Sequence, residues 1–382
     1  MKNILKLTVS FIIGLLFGGI GIWIGISLAS GMSFADIQEK FATIDGFRIA
    51  GVALLSIVLT ILTILLQVIL HEGGHLVFGL ATGYRFVSFR IFNLTILRLK
   101  GKLCIKRFGV AGTGGQCLLT PPDKPLQDIP CVWYNMGGVI ANLLTAVIAI
   151  ILLLTIDGMA YPLKLFLLLF CGIGILAGLT NGIPMKIGGI GNDAYNMRLL
   201  LKKAESKRAT MQQLRINALI QEGVRPKDIP EEWFHLEKEL DYKDSLQVGV
   251  RLMAASRLQD LEVWDEAYNI FEEMMDHKDK IIGLYVKEIA CELLFTSLLL
   301  EHEQAIELYT DEQRTYIQQY KSVMSSKQRI LCAIALYLEK DAPKAKEIYE
   351  TVCNQKDKYL MQGEVNMDIA LMKSFLTAGN VL

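Results

Sequence analysis

The sequence is poor in charge, and neither sign is in excess. Only 20% of its 382 residues are Asp, Glu, Lys or Arg, where ordinary soluble proteins carry about 25%. The 39 basic residues balance 39 acidic ones, which excludes a nucleic-acid binder that relies on a broad basic surface. Paired cysteines are also lacking. Cys104, Cys117, Cys131, Cys171, Cys291, Cys332 and Cys353 are scattered with no CxxC, so they read as free thiols without a disulfide, metal or redox role. The apolar share, 52%, is too high for a disordered or low-complexity chain.

What is present is uneven. Leu7 to Ala35, Ile49 to Leu70, Ile129 to Ile156 and Leu165 to Met185 contain no charged residue. Each reaches the roughly 20 residues needed to cross a hydrocarbon core. Beyond Lys202 the chain turns charged. The expectation is a mostly α protein: a polytopic membrane domain of about four transmembrane helices with a short β-rich membrane-associated loop, then a soluble α-helical, repeat-like domain. Residues 1–45 are assigned to a first helix and external loop, 46–203 to a membrane-embedded core, and 204–382 to the helical domain. Lys2 and Lys6 before the first run, and Ser27-Leu28-Ala29 after it, also suit a signal peptide. The run exceeds the ~7–15 apolar residues of such a signal, which favours an uncleaved helix.

Orientation follows the positive charge. Between Tyr84 and Asp128 lie Arg85, Arg90, Arg98, Lys100, Lys102, Lys106, Arg107 and Lys124 against Asp123 and Asp128. Between Ser30 and Arg48 lie Lys40 and Arg48 against Asp36, Glu39 and Asp45. The first of these loops is placed inside and the second outside, so a multi-pass protein of the cell membrane with a cytoplasmic C-terminal domain is expected.

The second apolar run leads directly into His71-Glu72-Gly73-Gly74-His75. On a helix, HExxH sets two imidazoles on one face to chelate one Zn2+, with the Glu as general base for the attacking water. A chance occurrence is expected in roughly one such sequence in a few hundred, and ionisable groups inside an apolar segment are costly and usually functional. His235, His277 and His302 lie among charged residues of the C-terminal half and read as solvated, so a third ligand must be a carboxylate. Asp123 and Asp128 sit in the basic loop, and Asp157 falls on the outer side. Asp193 follows Asn181-Gly182-Ile183-Pro184 and Gly188-Gly189-Ile190-Gly191-Asn192, a broken backbone of the kind tolerated at membrane depth only where protein or a cavity covers it. A helix cap at Asn192 or Asp193 explains that segment equally well; the missing ligand tips the choice to Asp193.

These residues resemble the site-2 protease family of intramembrane zinc metalloproteases. Gly137-Gly138-Val139-Ile140-Ala141-Asn142 is similar to the family's Gly-Pro-x-x-Asn segment, and the resemblance covers about Ile49 to Arg198. It implies His71, His75 and Asp193 as ligands of one zinc, Glu72 as the catalytic base, and Asn142 as a catalytic group positioning the substrate carbonyl or its oxyanion. Val139 replaces the family's Pro, Ala194 follows Asp193 where Gly is usual, and Asn181 lies farther from Asp193 than in the compact pattern. There is no room for an inserted PDZ domain.

Phe86 to Ile91, Leu94 to Leu99 and Leu103 to Val110 are rich in β-branched and aromatic residues, with a turn at Lys100-Gly101-Lys102. Gly112 to Gln116 reads as flexible, and Pro121-Pro122 stops any strand. Such strands suit either substrate binding by strand addition or an amphipathic hairpin on anionic lipid. In the C-terminal half, Ala267-x3-Phe271, Ala305-x3-Tyr309 and Ala345-x3-Tyr349 recur in similar frames, suggesting degenerate tetratricopeptide-like hairpins, whose unit is about 34 residues; a plain helical bundle is the alternative.

The expected function is intramembrane cleavage of a membrane-anchored or exported peptide near the cytoplasmic side, with the lipid bilayer and a cytoplasmic protein bound through residues 204–382 as further partners and no nucleic acid. An inactive membrane scaffold working through its helical repeats is the alternative, although a relic site has no need of Glu72. A soluble HExxH domain beside the membrane is disfavoured by the lack of any soluble segment around His71.

Overall fold

In hydrocarbon, an apolar run satisfies its backbone groups internally by forming a helix, and among the described residues three long helices form. They are α1 (Gly46–Ala81), α2 (Val132–Thr155) and α3 (Tyr161–Gly182). The computed structural model describes residues 33, 35, 36, 39, 46–99, 101–108, 114–303 and 305–382. The expected first membrane helix, the question of its cleavage and nearly all of the external loop lie outside the described residues. Ala50–Ala81, Leu126–Thr155 and Tyr161–Gly182 are long and apolar enough to cross a membrane. The described chain forms two compact units. One ends at Leu62 and includes Ala160–Phe166; the other comprises Thr63–Met159 and Leu167–Leu382 and holds everything discussed below.

α1 runs without a break through Gly73-Gly74. These glycines serve packing, since a Cβ on Gly74 would overlap the Gly137 carbonyl of α2, and one on Gly137 would overlap that of Gly74. Two backbones in contact are the hallmark of small-residue membrane helix pairs. α1 ends in a Schellman motif, with Tyr84 N donating to Gly79 O at 3.0 Å and Gly83 N to Leu80 O at 3.1 Å. Gly83 supplies the positive φ of 92° that this cap requires, and the chain drops straight into a sheet.

That sheet comprises β1 (Arg85–Ile91), β2 (Leu94–Leu99), β3 (Lys102–Arg107) and β4 (Gly115–Thr120), antiparallel in the order β3-β2-β1-β4. Gly101 turns β2 into β3 at φ 78°. β4 departs from the flexible reading of Gly112 to Gln116. Cys117, Leu118 and Leu119 are buried, and their pairing with β1 draws Gly115 and Gln116 into the strand. The third strand spans Lys102–Arg107, and the end expected for it at Val110 lies outside the described residues.

After α3, a short hairpin of β5 (Lys186–Ile187) and β6 (Ile190–Gly191) turns on Gly188 and Gly189, at φ 60° and 88°. This is the turn chemistry of a two-residue hairpin. It loops out the extra residues between Asn181 and Asp193. Asn192 closes the excursion. Its Nδ2 donates to Thr180 O at 2.6 Å and Ile183 O at 2.7 Å, while its Oδ1 caps α4 (Asp193–Lys202) by accepting from Tyr195 N.

The rest is helical: α5 (Ala204–Glu222), α6 (Ser245–Asp260), α7 (Trp264–Asp276), α8 (Gly283–Leu299), α9 (Ala305–Leu308), α10 (Asp311–Tyr320), α11 (Ser325–Tyr337), α12 (Ala342–Gln355) and α13 (Gln362–Ala378). α5 docks this array on the sheet. Its Ala218 packs on Val87 and Leu118, and Ser88 Oγ donates to Gln221 Oε1 at 2.9 Å. Ala267, Ala305 and Ala345, the small residues of the three similar frames, are all buried. The seven cysteines are free.

Candidate metal centre

His71 and His75 lie one turn apart on α1, and Asn192 delivers Asp193 to them as the first residue of α4. His71 Nε2 and His75 Nε2 are 3.2 Å apart. Asp193 Oδ2 lies 3.1 Å from the first and 3.5 Å from the second. Zinc–ligand bonds of about 2.0–2.2 Å in a tetrahedron place neighbouring ligand atoms about 3.3–3.6 Å apart, so the three atoms sit close to the spacing of one tetrahedral face. Among the described residues no other trio of His, Cys, Asp or Glu converges in this way. Asp123 lies 97% exposed beside Arg215, and His277 and His302 pack against Tyr242 and Tyr268, the first pair tilted and the second edge to face.

The outer contacts decide the tautomers. His75 Nδ1 lies 2.7 Å from the Tyr134 carbonyl, which can only accept, so this nitrogen carries the proton. His71 Nδ1 lies 2.6 Å from Asn142 Oδ1. Asn142 Nδ2 donates to Gln67 O at 3.0 Å and Gln67 Oε1 at 2.7 Å, and Gln67 Nε2 donates to Phe170 O at 3.0 Å. Neutral His71 and His75 therefore both turn Nε2 lone pairs inward, as metal-binding imidazoles do. Burial pushes the Asp193 carboxyl up, whereas hydrogen bonds and positive charge from the two imidazoles, when these are protonated in the absence of a metal, more than offset this and hold it down at about 2. The start of α4 also favours its negative charge. Asp193 Oδ2 is nevertheless buried with no well-formed hydrogen bond. Three lone-pair donors facing one another around a buried, unsatisfied oxygen repel unless a cation lies between them, and the donor set fits a metal ion of the zinc type.

Glu72 is half-buried and has no hydrogen-bond partner among the described residues. It lies against β4, where a Cβ on Gly115 would come 2.6 Å from its Cγ. His75, His71, Asp193 and Arg90 are the titratable groups in its electrostatic reach. Asn142, fully buried, stands where it orients His71, with its amide nitrogen committed to Gln67.

Gln67 and Tyr134 were not singled out from sequence, and Gly74, Gly115 and Gly138 entered there only as parts of longer segments, without their packing roles. A Cβ on Gly138 would lie 2.5 Å from His71 Cε1. The adjacent pair Gly137-Gly138 was the visible signal, but nothing local says which helix it faces. Gly138→Ala is expected to weaken metal binding by this trio by about 10–100-fold, the scale of lost ligand orientation. Gly172→Ala on α3, whose Cβ meets nothing within 4 Å, should leave it unchanged. Metal titration of both purified variants checks this, and equal affinities would refute the steric account. No known protein family, curated protein or solved structure matches the chain.

Proposed function

We propose that this protein is an intramembrane zinc metalloprotease, similar to the site-2 proteases, acting on a membrane-anchored or exported peptide. The observation that carries this reading is the near-tetrahedral convergence of His71, His75 and Asp193 with a free carboxylate, Glu72, on the same helix. A bound zinc supplies Lewis acidity, lowering the pKa of water to about 7 and polarising a peptide carbonyl. Glu72 accepts a proton from the attacking water and delivers it to the leaving amine. Asn142 and the Tyr134 carbonyl hold the two imidazoles in their binding tautomers. A scaffold would need no such free carboxylate beside three converging donors.

Two features support a membrane-bound peptide as substrate. β4 is an outer strand of its sheet and carries Gly115 against Glu72, so an extended peptide added along it would present its carbonyls beside the trio. On the face formed by β2 and β3, Leu94, Ile96, Leu103 and Ile105 are exposed, flanked by Arg98 and Arg107. That pattern suits an anionic lipid surface. The basic loop supports a cytoplasmic sheet and helical array, and the array is read as degenerate tetratricopeptide-like hairpins that receive a partner or part of the substrate.

The test is the zinc content of the detergent-purified protein, with cleavage of single-span peptides followed by mass spectrometry. About one zinc per chain with cleavage is expected. A folded protein that takes up no zinc would remove the protease reading.

A further inference from the structure

A cavity of about 510 Å³ runs from the sheet into the helical array, within the range of roughly 300–1,000 Å³ typical of ligand sites. Gln116 of β4 is one of its lining residues, next in sequence to Gly115, where a Cβ would meet Glu72. The interior is apolar and aromatic, with Tyr316, Tyr320, Tyr359 and Met361 among its walls. Its charges are unbalanced. Lys327 Nζ pairs with Glu288 at 2.6 Å. Arg329 pairs with Glu292 at 2.6 Å and with Asp368 at 2.7 Å, and its guanidinium lies over the Phe295 ring. Two cations thus serve three carboxylates. A fourth carboxyl, Glu364 of α13, also lines the cavity and has no hydrogen-bond or ion-pair partner among the described residues. Arg329 is 1% exposed, lines the same cavity, and has an Nη1 without a hydrogen-bond partner.

We propose that this cavity docks the basic segment flanking the membrane anchor of the substrate, with a Lys or Arg side chain on Glu364 and a backbone carbonyl on Arg329 Nη1. The proposal rests on the protease reading. It commits to a basic peptide because the missing charge is positive and aromatic walls accept both the alkyl stem and the cationic head of such side chains. Membrane-anchored proteins carry Lys and Arg at the cytoplasmic ends of their spans. Gln116 of β4 lines the cavity, so a peptide paired along that strand, whose side chains alternate between the two faces of the sheet, turns every second one toward the cavity side.

Burial, reinforced by Asp368, Glu288 and Glu292 and opposed by Arg329, pushes the Glu364 carboxyl up to about 8. A group raised in this way stabilises the fold at low pH, and that contribution fades as pH rises from its unfolded value through about 8. Glu364→Gln should therefore fold, with a melting temperature at pH 8 equal to or above that of wild type.

The experiment uses full-length Glu72→Gln protein in nanodiscs and three fluorescent peptides. Each carries the same apolar stretch followed by Lys-Arg-Lys, Ser-Asn-Ser or Glu-Asp-Glu. The basic peptide should bind at least about 10-fold more tightly than the acidic one. Adding Glu364→Gln should cost it about 10-fold and leave the neutral peptide unchanged. Equal binding of basic and acidic peptides, or affinity for the basic one untouched by Glu364→Gln, would overturn the proposal. Binding is read without cleavage and zinc content is measured separately, so absence of zinc would count against the protease and loss of charge selectivity against the cavity.

Discussion

Glu72→Gln is expected to keep one zinc per chain while cleavage of single-span peptides falls by at least about 1,000-fold, or roughly 4 kcal/mol of transition-state stabilisation. The two outcomes separate because Glu72 is on α1 between the ligands without being one of them. It faces Gly115 on β4, whereas His71, His75 and Asp193 face one another. Gln keeps the shape and loses the capacity to take a proton. Metal analysis of the purified variant beside reconstituted cleavage reads both quantities. Cleavage at the wild-type rate would show that some other group moves the proton.

Asp193→Ala and His71→Ala should each abolish stoichiometric zinc. Removing one protein donor from a site worth about 10–16 kcal/mol in total costs roughly 3–5 kcal/mol, about a thousandfold in affinity. The Asp193 variant has a structural control. The cap of α4 is made by Asn192, not Asp193, so the helix should persist. A ligand that binds only the folded state raises its melting temperature. A chelator should therefore lower the melting temperature of wild type and barely move that of Asp193→Ala. Zinc retained by Asp193→Ala would mean that another group completes the site.

The legible parts were those whose information is local. HExxH on an apolar run placed two imidazoles on one helical face, because the spacing of i and i+4 is a property of the helix alone. The strands around Phe86 to Arg107 could be read from their β-branched and aromatic residues, and the turn at Gly101 from its glycine. Asp193 was reached by asking which acid could complete the set. β4 was missed because an apolar stretch after glycines becomes a strand only when another strand, here β1, is there to pair with it. Asn142 was assigned to substrate by resemblance, and in the folded chain its amide is engaged by His71 and Gln67.

By itself, then, the sequence determined which segments are apolar enough to cross a membrane, where the two imidazoles lie and which carboxylate stands between them. Only the tertiary structure decided that Gly74 and Gly137 let two helices touch, that Gly138 leaves room for the His71 ring, and that the hairpin at Gly188-Gly189 folds away so that Asp193 meets both imidazoles. It alone gathered Glu288, Glu292, Asp368 and Glu364 around two cations. The division has one physical cause. Periodicity and chain propensity act over a few residues, whereas close approach and charge balance depend on groups that only the folded chain brings together.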